Sequence, residues 1–391
     1  MPTAALHTSE LFAAEYGRQP DGVWSAPGRV NLIGEHTDYN GGLVLPFAID
    51  RRTRCAVGRR GDRMLRVRSA TIDGEVTISL DDLTPDALAG WSAYPLGVAW
   101  ALGEPIEGEP RADLTQASGL DIMLWSDVPL GAGLSSSAAI ECAVAAALND
   151  LWRLGLDRMT LARAGRLAEN VAVGAPTGIM DQAASLLGEP DHAVFLDCGT
   201  ESAQAVPLHL DRAGLTVLVI DTQVRHEHAT GGYGERRASC ERGAEALNVP
   251  SLRFVAESDL PRAAEVLDDE TFRRVRHVVT ESARVAQTVR VLREEGPRAI
   301  GDLLLASHAS MRDDFEISVP ELDLAVDCAV RNGAIGARMT GGGFGGAAIA
   351  LIEADAVDAM SDAVTLAFGA AGFAQPRCFT VTPSDGARRD I

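Results

Sequence analysis

The sequence contains no lysine, and all 35 of its basic residues are arginine. This absence excludes enzymes that depend on a lysine amine, namely Walker A nucleotide-binding enzymes, protein kinases of the usual form and enzymes that form a lysine Schiff base. The 55 acidic residues produce a formal net charge of −20. A chain this acidic is not expected to bind nucleic acid or an anionic membrane surface, because both attract basic patches.

Cysteine is sparse, and long apolar runs are missing. The six cysteines are scattered with no C-x-x-C pair, so neither a disulfide framework nor a zinc cluster is expected. No apolar run approaches the roughly 20 residues that span a bilayer. The first 18 residues lack the basic and apolar regions of a signal peptide. We therefore expect a cytoplasmic protein, and its length suggests two domains of about 150 residues or more.

Strand and helix patterns are mixed along the chain without regular βαβ alternation, which predicts an α+β fold. Asp73-Gly74 predicts a hairpin turn, Asp157 predicts a helix cap, and Thr230–Gly234 predicts a glycine-rich loop. We place the domain change between Leu187 and Ala213. This divides the chain into an N-terminal lobe, residues 1–195, and a C-terminal lobe, residues 196–391. Helices are predicted over residues 9–16, 84–102, 136–154, 159–173, 235–247, 271–294, 298–311 and 354–371, with a further short helix after residues 178–182.

A segment rich in glycine and serine, GAGLSSSAA (residues 131–139), joins a predicted strand to a long helix. The start of a helix presents unpaired N–H groups and the positive end of the helix dipole. Glycines let a phosphate approach the backbone, and serine hydroxyls add donors or a Mg²⁺ ligand. The segment alone predicts a phosphate site and an ordinary helix cap equally well. It is not the dinucleotide fingerprint, because the third glycine is missing.

Polar residues are dense in GRVNLIGEHTDYN (residues 28–40), which we call the sugar segment. Its arginine, glutamate, histidine and aspartate side chains suit a polyhydroxylated ligand, because each sugar hydroxyl needs both a donor and an acceptor. A polar surface loop is the alternative. A metal site is disfavoured, since three ligands so close in sequence rarely converge without a helix or hairpin.

Two acidic residues and a second glycine segment complete the candidates. Asp181 lies among apolar residues in GIMDQ (residues 178–182), where a desolvated carboxylate can act as a base toward a hydroxyl or set the local field. Glu169, in a predicted helix, is a candidate Mg²⁺ ligand. A helix cap and a solvated helix glutamate are the respective alternatives. The segment GGGFGG (residues 341–346) could approach phosphates or form a packing corner between domains.

Together these four segments resemble the GHMP small-molecule kinase superfamily and, within it, the galactokinase family. GRVNLIGEHTDYNGG resembles the family's first signature, GLSSSAA its nucleotide loop, GIMDQ its catalytic segment and TGGGFGG its third motif. The resemblance covers essentially the whole chain. It implies two α+β lobes, each with a mixed sheet and helices, and an active site in the cleft between them. It also implies Mg·ATP-dependent phosphorylation of the C1 hydroxyl of α-D-galactose, the first committed step of galactose catabolism.

The resemblance implies roles for individual residues as well. Asp181 matches the family's catalytic aspartate, and Arg29 matches the arginine beside it. The sugar-binding positions are matched by Arg29, Glu35, His36, Asp38, Gly178, Asp181 and Tyr233. The ATP-binding positions are matched by Gly131, Gly133, Leu134, Ser135, Ser136, Ser137 and Ala138, with Trp91 and Tyr94 flanking the adenine. Ser137 and Glu169 match the Mg²⁺ ligands. The implied partners are galactose and ATP, and a monomer is favoured; core packing is the alternative for the two aromatic residues.

Three other functions share parts of this pattern. A kinase for N-acetylgalactosamine, arabinose or galacturonate would use the same loops, but Thr37-Asp38 keeps the galactokinase form. A non-catalytic sugar sensor would have a damaged serine loop, which here is intact. Mevalonate- and homoserine-type kinases lack the Glu-His-Thr-Asp segment.

Overall fold

The N-terminal lobe is built around a mixed β-sheet. The computed structural model describes residues 3–106, 112–225 and 229–391. The strands of this lobe are β1 (Gly22–Asn31), β2 (Leu43–Val44), β3 (Pro46–Arg59), β4 (Met64–Ser69), β5 (Glu75–Ser79), β6 (Leu120–Ser126), β7 (His192–Asp197) and β8 (Ser202–Pro207). In the main sheet β1, β3, β6, β4 and β5 lie side by side, and β4 and β6 are its parallel pair. Strands β2, β7 and β8 form a smaller antiparallel sheet.

Helices lie on both faces of this sheet: the helix that carries Phe12 packs on Val23 and Ala56, and the others pack on the face that carries Trp24 and Cys55. The helices of the N-terminal lobe are α1 (Ala4–Tyr16), α2 (Ala93–Ala101), α3 (Ser136–Trp152), α4 (Arg158–Leu167) and α5 (Met180–Leu187). Helix α3 packs on β1 and β3, and its many alanines let it lie close to the sheet. Asp157 caps α4 by accepting a hydrogen bond from the Thr160 amide at 2.7 Å, which confirms the predicted cap.

The C-terminal lobe contains an antiparallel sheet in the order β10, β11, β9, β12. Its strands are β9 (Leu215–Asp221), β10 (Gly336–Thr340), β11 (Ala347–Glu353) and β12 (Arg377–Val381). Its helices are α6 (Ala229–Ala246), α7 (Leu260–Val266), α8 (Asp269–Glu294), α9 (Gly301–Asp313), α10 (Pro320–Arg331) and α11 (Val357–Ala371). Strand β13 (Arg388–Arg389) follows this lobe in the chain but pairs with β1 of the first sheet.

An apolar core runs from one lobe into the other. Val30 and Leu45 of the first lobe and Val219 and Leu351 of the second belong to one continuous buried cluster. The α+β architecture agrees with the fold that the sequence predicts, and the hairpin at Asp73-Gly74 joins β4 to β5 as expected. Within the described ranges, no helix is both long and apolar enough to cross a membrane.

One local prediction is wrong, and a second is confirmed in extent but not in helix type. Thr230–Gly234 is not a loop, because α6 already begins at Ala229. Tertiary packing overrides the low helix propensity of these glycines, and Gly232 lies directly against the ring of Phe344. The helix predicted over residues 159–173 ends at Leu167 and continues as a π-helical turn, Ala168–Val173. Such turns re-aim side chains, and this one contains Glu169.

Candidate active site

A cavity of about 330 Å³ lies where the two lobes meet. It brings together all four segments that the sequence singles out. The predicted residues that line it are Arg29, Glu35, His36, Asp38, Gly131, Gly133, Leu134, Ser135, Ser136, Ser137, Glu169, Gly178, Asp181 and Tyr233. Gly341, Gly342 and Gly343 of the third motif complete the wall. The third motif therefore lines the cavity as well as forming a packing corner.

Asp181 lies in the first turn of α5, and its two carboxylate oxygens have different partners. Oδ1 accepts from Arg29 Nε at 2.8 Å and pairs with Arg29 Nη2 at 2.7 Å. Oδ2 accepts from the Ser135 hydroxyl. The Arg29 guanidinium also donates to the carbonyl of Gly133 at 2.6 Å. These bonds hold the aspartate and the arginine as one unit between α5 and the serine loop (residues 131–138), which we also call the phosphate loop after its predicted role.

Ser135 distinguishes between the two interpretations of the serine loop. Its backbone is left-handed, with φ of 54°, and its side chain makes no cap bond to α3. The hydroxyl is used by Asp181 instead. The first N–H groups of α3 are therefore without a side-chain cap, which is the arrangement that suits an anion at a helix start. This geometry favours the phosphate site over the ordinary cap.

Asp38 reaches the backbone of the catalytic segment at Gly178. A Cβ atom at residue 178 would lie 2.1 Å from Asp38 Oδ2, so the close approach requires glycine. Burial, and secondarily the charge of Asp181, raises the pKa of Asp38 to about 6. Asp38 is therefore an acceptor whose charge depends on pH near neutrality.

A second carboxylate lies deeper in the same wall. Glu169 Oε2 accepts from the Thr177 hydroxyl and from Gln182 Nε2, each at 2.8 Å. Gln182 also donates to Glu141 Oε2 of α3 at 2.9 Å. Burial and the charge of Asp181 raise the pKa of Glu169. Burial likewise raises the pKa of Glu141, and Glu169 adds to that rise.

Sequence reasoning missed Gln182 and Glu141, although signals for both were present. Gln182 directly follows Asp181 in the catalytic segment, and Glu141 lies one helical turn after Ser137 on α3. Residues four positions apart lie on the same face of a helix, so the Glu141 carboxylate shares a face with Ser137. Its position below the phosphate loop could have been inferred from this spacing.

His36 joins the sugar segment to the third motif. Its Nε2 lies 3.1 Å from the carbonyl of Gly342, and its Nδ1 lies 2.8 Å from the Tyr39 hydroxyl. A carbonyl only accepts, so Nε2 carries the proton and Nδ1 accepts from Tyr39. Burial lowers the pKa of His36 to about 3, which keeps the ring neutral. The ring also packs 4.8 Å from those of Tyr233 and Phe315.

Backbone atoms of the two glycine segments touch at the base of the cavity. A Cβ atom on Gly341 would lie 2.9 Å from the Gly133 carbonyl oxygen. Nearby, Arg225 Nε lies 2.7 Å from the position that a Gly131 Cβ would occupy. Asp221 holds this guanidinium at 3.0 and 3.1 Å. Sequence reasoning did not identify Arg225, because nothing in its local pattern places it beside the phosphate loop.

The remaining predicted nucleotide residues lie outside the main cavity. Tyr94 lines a second cavity of about 300 Å³ together with Ala172 and Val173, which follow Glu169 in the π-helical turn. Trp91 packs against the apolar core of the first lobe and is absent from the lining of both cavities. Ala138 is fully buried in α3.

Comparison with known proteins places this site in a family. The chain matches the galactokinase galactose-binding signature over residues 10–59, the GHMP kinases N terminal domain over residues 93–189 and the GHMP kinases C terminal domain over residues 288–370. Galactokinase of Streptomyces coelicolor is 54% identical over 383 residues, covering 97% of each chain. The chain belongs to the galactokinase family. Galactokinase of Mycobacterium tuberculosis is 43% identical over 367 residues, which are 93% of this chain and 98% of the relative.

Solved structures agree with this assignment to the galactokinase family. Lactococcus lactis galactokinase complexed with galactose superposes with a TM-score of 0.91 at 31% identity, covering 99% of this chain and 100% of that one. A mevalonate kinase superposes with a TM-score of 0.63 at 16% identity, covering 93% and 99%, and shares the fold alone. The expected GHMP kinase fold is therefore confirmed, and the chain is a sugar kinase.

Proposed function

We propose that this chain transfers the γ-phosphoryl group of ATP to the C1 hydroxyl of α-D-galactose, releasing α-galactose 1-phosphate and ADP. The observation that carries the proposal is the contact of Asp181 with both Arg29 and Ser135. This contact joins the sugar segment, the catalytic segment and the phosphate loop within one cavity. Family membership supports the same reaction.

Asp181 and Arg29 are the proposed catalytic pair. Asp181 accepts or steers the proton of the C1 hydroxyl as that oxygen attacks phosphorus. Arg29 holds Asp181 in place and offsets negative charge on the phosphoryl group in transit. Since the transition state of phosphoryl transfer is loose, the protein contributes mainly positioning and charge neutralisation.

Galactose is held in this proposal by the sugar segment and its neighbours. Asp38 accepts hydrogen bonds from sugar hydroxyls, and Gly178 presents its backbone beside it. Glu35, His36 and Tyr233 complete the sugar subsite. Tyr233 keeps its proton at neutral pH, because burial raises the pKa of its hydroxyl well above the usual value. It can therefore donate as well as accept.

ATP is held by the phosphate loop, Gly131 to Ala138, at the start of α3. We propose that the adenine ring lies beside Tyr94 in the second cavity, and the lining of that cavity by Tyr94 supports this. The roles of Tyr94 and Trp91 remain predictions of the family resemblance.

Ser137 and Glu169 are the residues that would hold Mg²⁺. Their oxygens are the hard donors that Mg²⁺ prefers, and the ion ordinarily takes one or two carboxylates plus substrate phosphates. The buried oxygen Glu141 Oε1, in the wall behind Glu169, lacks a hydrogen-bond partner. Held by Ser137 and Glu169, Mg²⁺ would supply positive charge against the phosphates of ATP.

The remaining proposals concern context. We propose two lobes. The predicted division near residues 195 and 196 falls inside β7, and because β8 pairs with β7 we place the division after Pro207, still between Leu187 and Ala213. We further propose a cytoplasmic monomer and a role at the first committed step of galactose catabolism. Galactose and ATP are its partners, with no nucleic acid or membrane.

A coupled ADP-release assay with Mg·ATP and a panel of sugars tests the proposal. The panel contains galactose, N-acetylgalactosamine, arabinose, galacturonate and glucose. We expect galactose to support the highest kcat/KM. A preference for the acetamido sugar or the uronic acid would replace galactose with a sister substrate. Galactose binding without ADP release would indicate a sugar sensor instead.

A further inference from the structure

The backbone of residues 31–35 leaves regular β-structure yet is buried, so each of its polar groups needs a partner. Leu45 satisfies two of them, accepting from the Leu32 amide at 3.2 Å and donating to the Ile33 carbonyl at 3.0 Å. Most of the other partners are side chains of the C-terminal lobe. The shape of this stretch therefore depends on residues far away in the sequence.

Arg338, on β10, is the first of these side chains and is fully buried. Its Nη1 donates to the carbonyls of Asn31 at 3.2 Å and Leu32 at 3.1 Å. Its Nη2 donates to Glu35 Oε2. The other oxygen of Glu35 accepts from the Gly341 amide at 3.0 Å. One guanidinium thus fixes both the backbone and the carboxylate of the sugar segment.

Glu281, on α8, is the second side chain of the C-terminal lobe that binds this backbone. Its Oε1 accepts from the Gly34 amide at 3.0 Å and from the Ser307 hydroxyl at 2.5 Å, and lies 3.7 Å from Arg338 Nη2. Its Oε2 accepts from Arg284 Nε at 2.8 Å. Burial alone would raise the pKa of Glu281, but Arg284 and Arg338 outweigh burial and hold it at about 2.

Two neutral side chains complete what we call the C-terminal cage (His277, Glu281, Arg338 and Thr340). His277 Nε2 lies 3.1 Å from the Glu35 carbonyl, while the Thr340 hydroxyl accepts from the Asn31 amide at 3.2 Å and donates to the Asn31 carbonyl at 3.0 Å. Neither Arg338 nor Glu281 lines the main cavity.

We propose that Arg338 and Glu281 are positioning residues for the sugar, acting through the backbone of residues 31–35 and the carboxylate of Glu35. This inference rests on the proposed function, since it assumes that Glu35, His36 and Asp38 contact galactose. A buried ion pair adds little net stability compared with apolar packing, but its bonds define a geometry. The phosphate loop receives no bond from Arg338 or Glu281, so galactose binding depends on the pair and ATP binding does not.

The test compares Arg338→Lys with Arg52→Lys. Lysine at position 338 keeps a positive charge beside Glu35 and Glu281 but loses the fork that holds two carbonyls with Nη1 and Glu35 with Nη2. Arg52 is a matched control, because it is also buried and donates to three backbone carbonyls, none of them in the sugar segment; they belong to Ser25, Asp385 and Gly386. For Arg338→Lys we expect the KM and the calorimetric Kd for galactose to rise at least about tenfold, with the KM for ATP within about twofold. For Arg52→Lys we expect no change in the galactose KM.

Glu281→Gln provides a second variant should Arg338→Lys fail to fold. The amide is nearly isosteric, and its oxygen still accepts from the Gly34 amide, so we expect a folded protein with a several-fold higher galactose KM. An unchanged galactose KM in a folded cage variant, or an equal rise in Arg52→Lys, overturns the inference. If the wild-type protein itself fails to phosphorylate galactose, the proposed function fails instead.

Discussion

Buried charged side chains form two groups in this molecule, and the two groups balance acidic and basic residues differently. In the described residues of the N-terminal lobe, the contacts above set several carboxylates against the single guanidinium of Arg29; these carboxylates are Asp38, Glu141, Glu169 and Asp181. At the C-terminal cage, Arg338 pairs with Glu35 of the sugar segment and Glu281 pairs with Arg284. The first group therefore contains more carboxyl groups than guanidinium groups, and the second contains equal numbers.

The pKa values of Asp38, Glu169 and Glu281 follow this difference, and that of Glu35 does not. Burial raises the pKa of Asp38 to about 6 and also raises that of Glu169, and in both the charge of Asp181 adds to the rise. In the cage, burial raises the pKa of Glu35 against the opposing charge of Arg338, while that of Glu281 is held at about 2. A buried excess of carboxylates costs free energy unless donors or cations arrive. We infer that the first group binds ligands and the second supports it.

Asp181→Ala is expected to have the largest effect. Removing the carboxylate leaves Arg29 without its partner and the C1 hydroxyl without a proton acceptor. We expect kcat to fall by at least about 10³-fold while ATP binding survives. ADP release measures the first and calorimetry with ATP measures the second. Turnover close to wild type would remove Asp181 from the catalytic pair and leave the first charge group without a chemical role.

Gly178→Ala is expected to have the second-largest effect. The added methyl group would lie 2.1 Å from Asp38 Oδ2, so Asp38 must move. Because a displacement of about 1 Å at a reacting site can cost on the order of 10²-fold, we expect the galactose kcat/KM to fall between about tenfold and a hundredfold. Gly369→Ala is a matched control, since nothing lies within 4 Å of a Cβ there. Equal kinetics in the two variants would contradict the close-contact argument.

The pH dependence of galactose use is expected to be smaller. Below a pKa of about 6 Asp38 is protonated and loses an acceptor, so the galactose kcat/KM should fall about tenfold between about pH 7 and pH 5. Asp38→Asn should flatten this limb of the profile. The free energy of unfolding depends on pH in the opposite direction. A carboxyl whose pKa is raised by folding stabilises the folded state below its unfolded pKa, and that contribution is lost as the pH rises through about 6. A profile that is unchanged in Asp38→Asn would assign the titration to another group.

Asp157→Ala is expected to have the smallest effect and calibrates the others. The residue caps α4 outside both charge groups. We expect a loss of about 1 kcal/mol in the free energy of unfolding, measured by denaturant titration, with kinetics unchanged. A clear change in the galactose KM would mean that kinetic effects at the two charge groups partly report general destabilisation.

The site residues that sequence reasoning found lie in short contiguous motifs. Asp181 and Ser135 were identifiable because each stands in a segment whose local pattern has a chemical meaning. Arg338, Glu281 and Arg225 were not, because they act through contacts between lobes, and such contacts leave no periodicity in the sequence.

For the fold as well, features that depend on nearby residues could be predicted, and features that depend on distant contacts could not. The Asp73-Gly74 hairpin and the Asp157 cap are local features and were predicted correctly. Helix α10 was missed although Pro320 stands in its first turn, a common helix-start signal. The start of α6 was wrong because packing against Phe344 outweighs the glycine content of that stretch. Strand β13 could not be anticipated, since its partner β1 lies more than 350 residues earlier.

The backbone contact between Gly133 and Gly341 has a mechanical consequence. With no side chains between the loops and a continuous apolar core beneath them, the lobes cannot separate here without exposing that core to water. The base of the cleft acts as a fixed pivot, and any opening that admits sugar or nucleotide is confined to the rim. The lobes should consequently melt together in one calorimetric transition rather than in two.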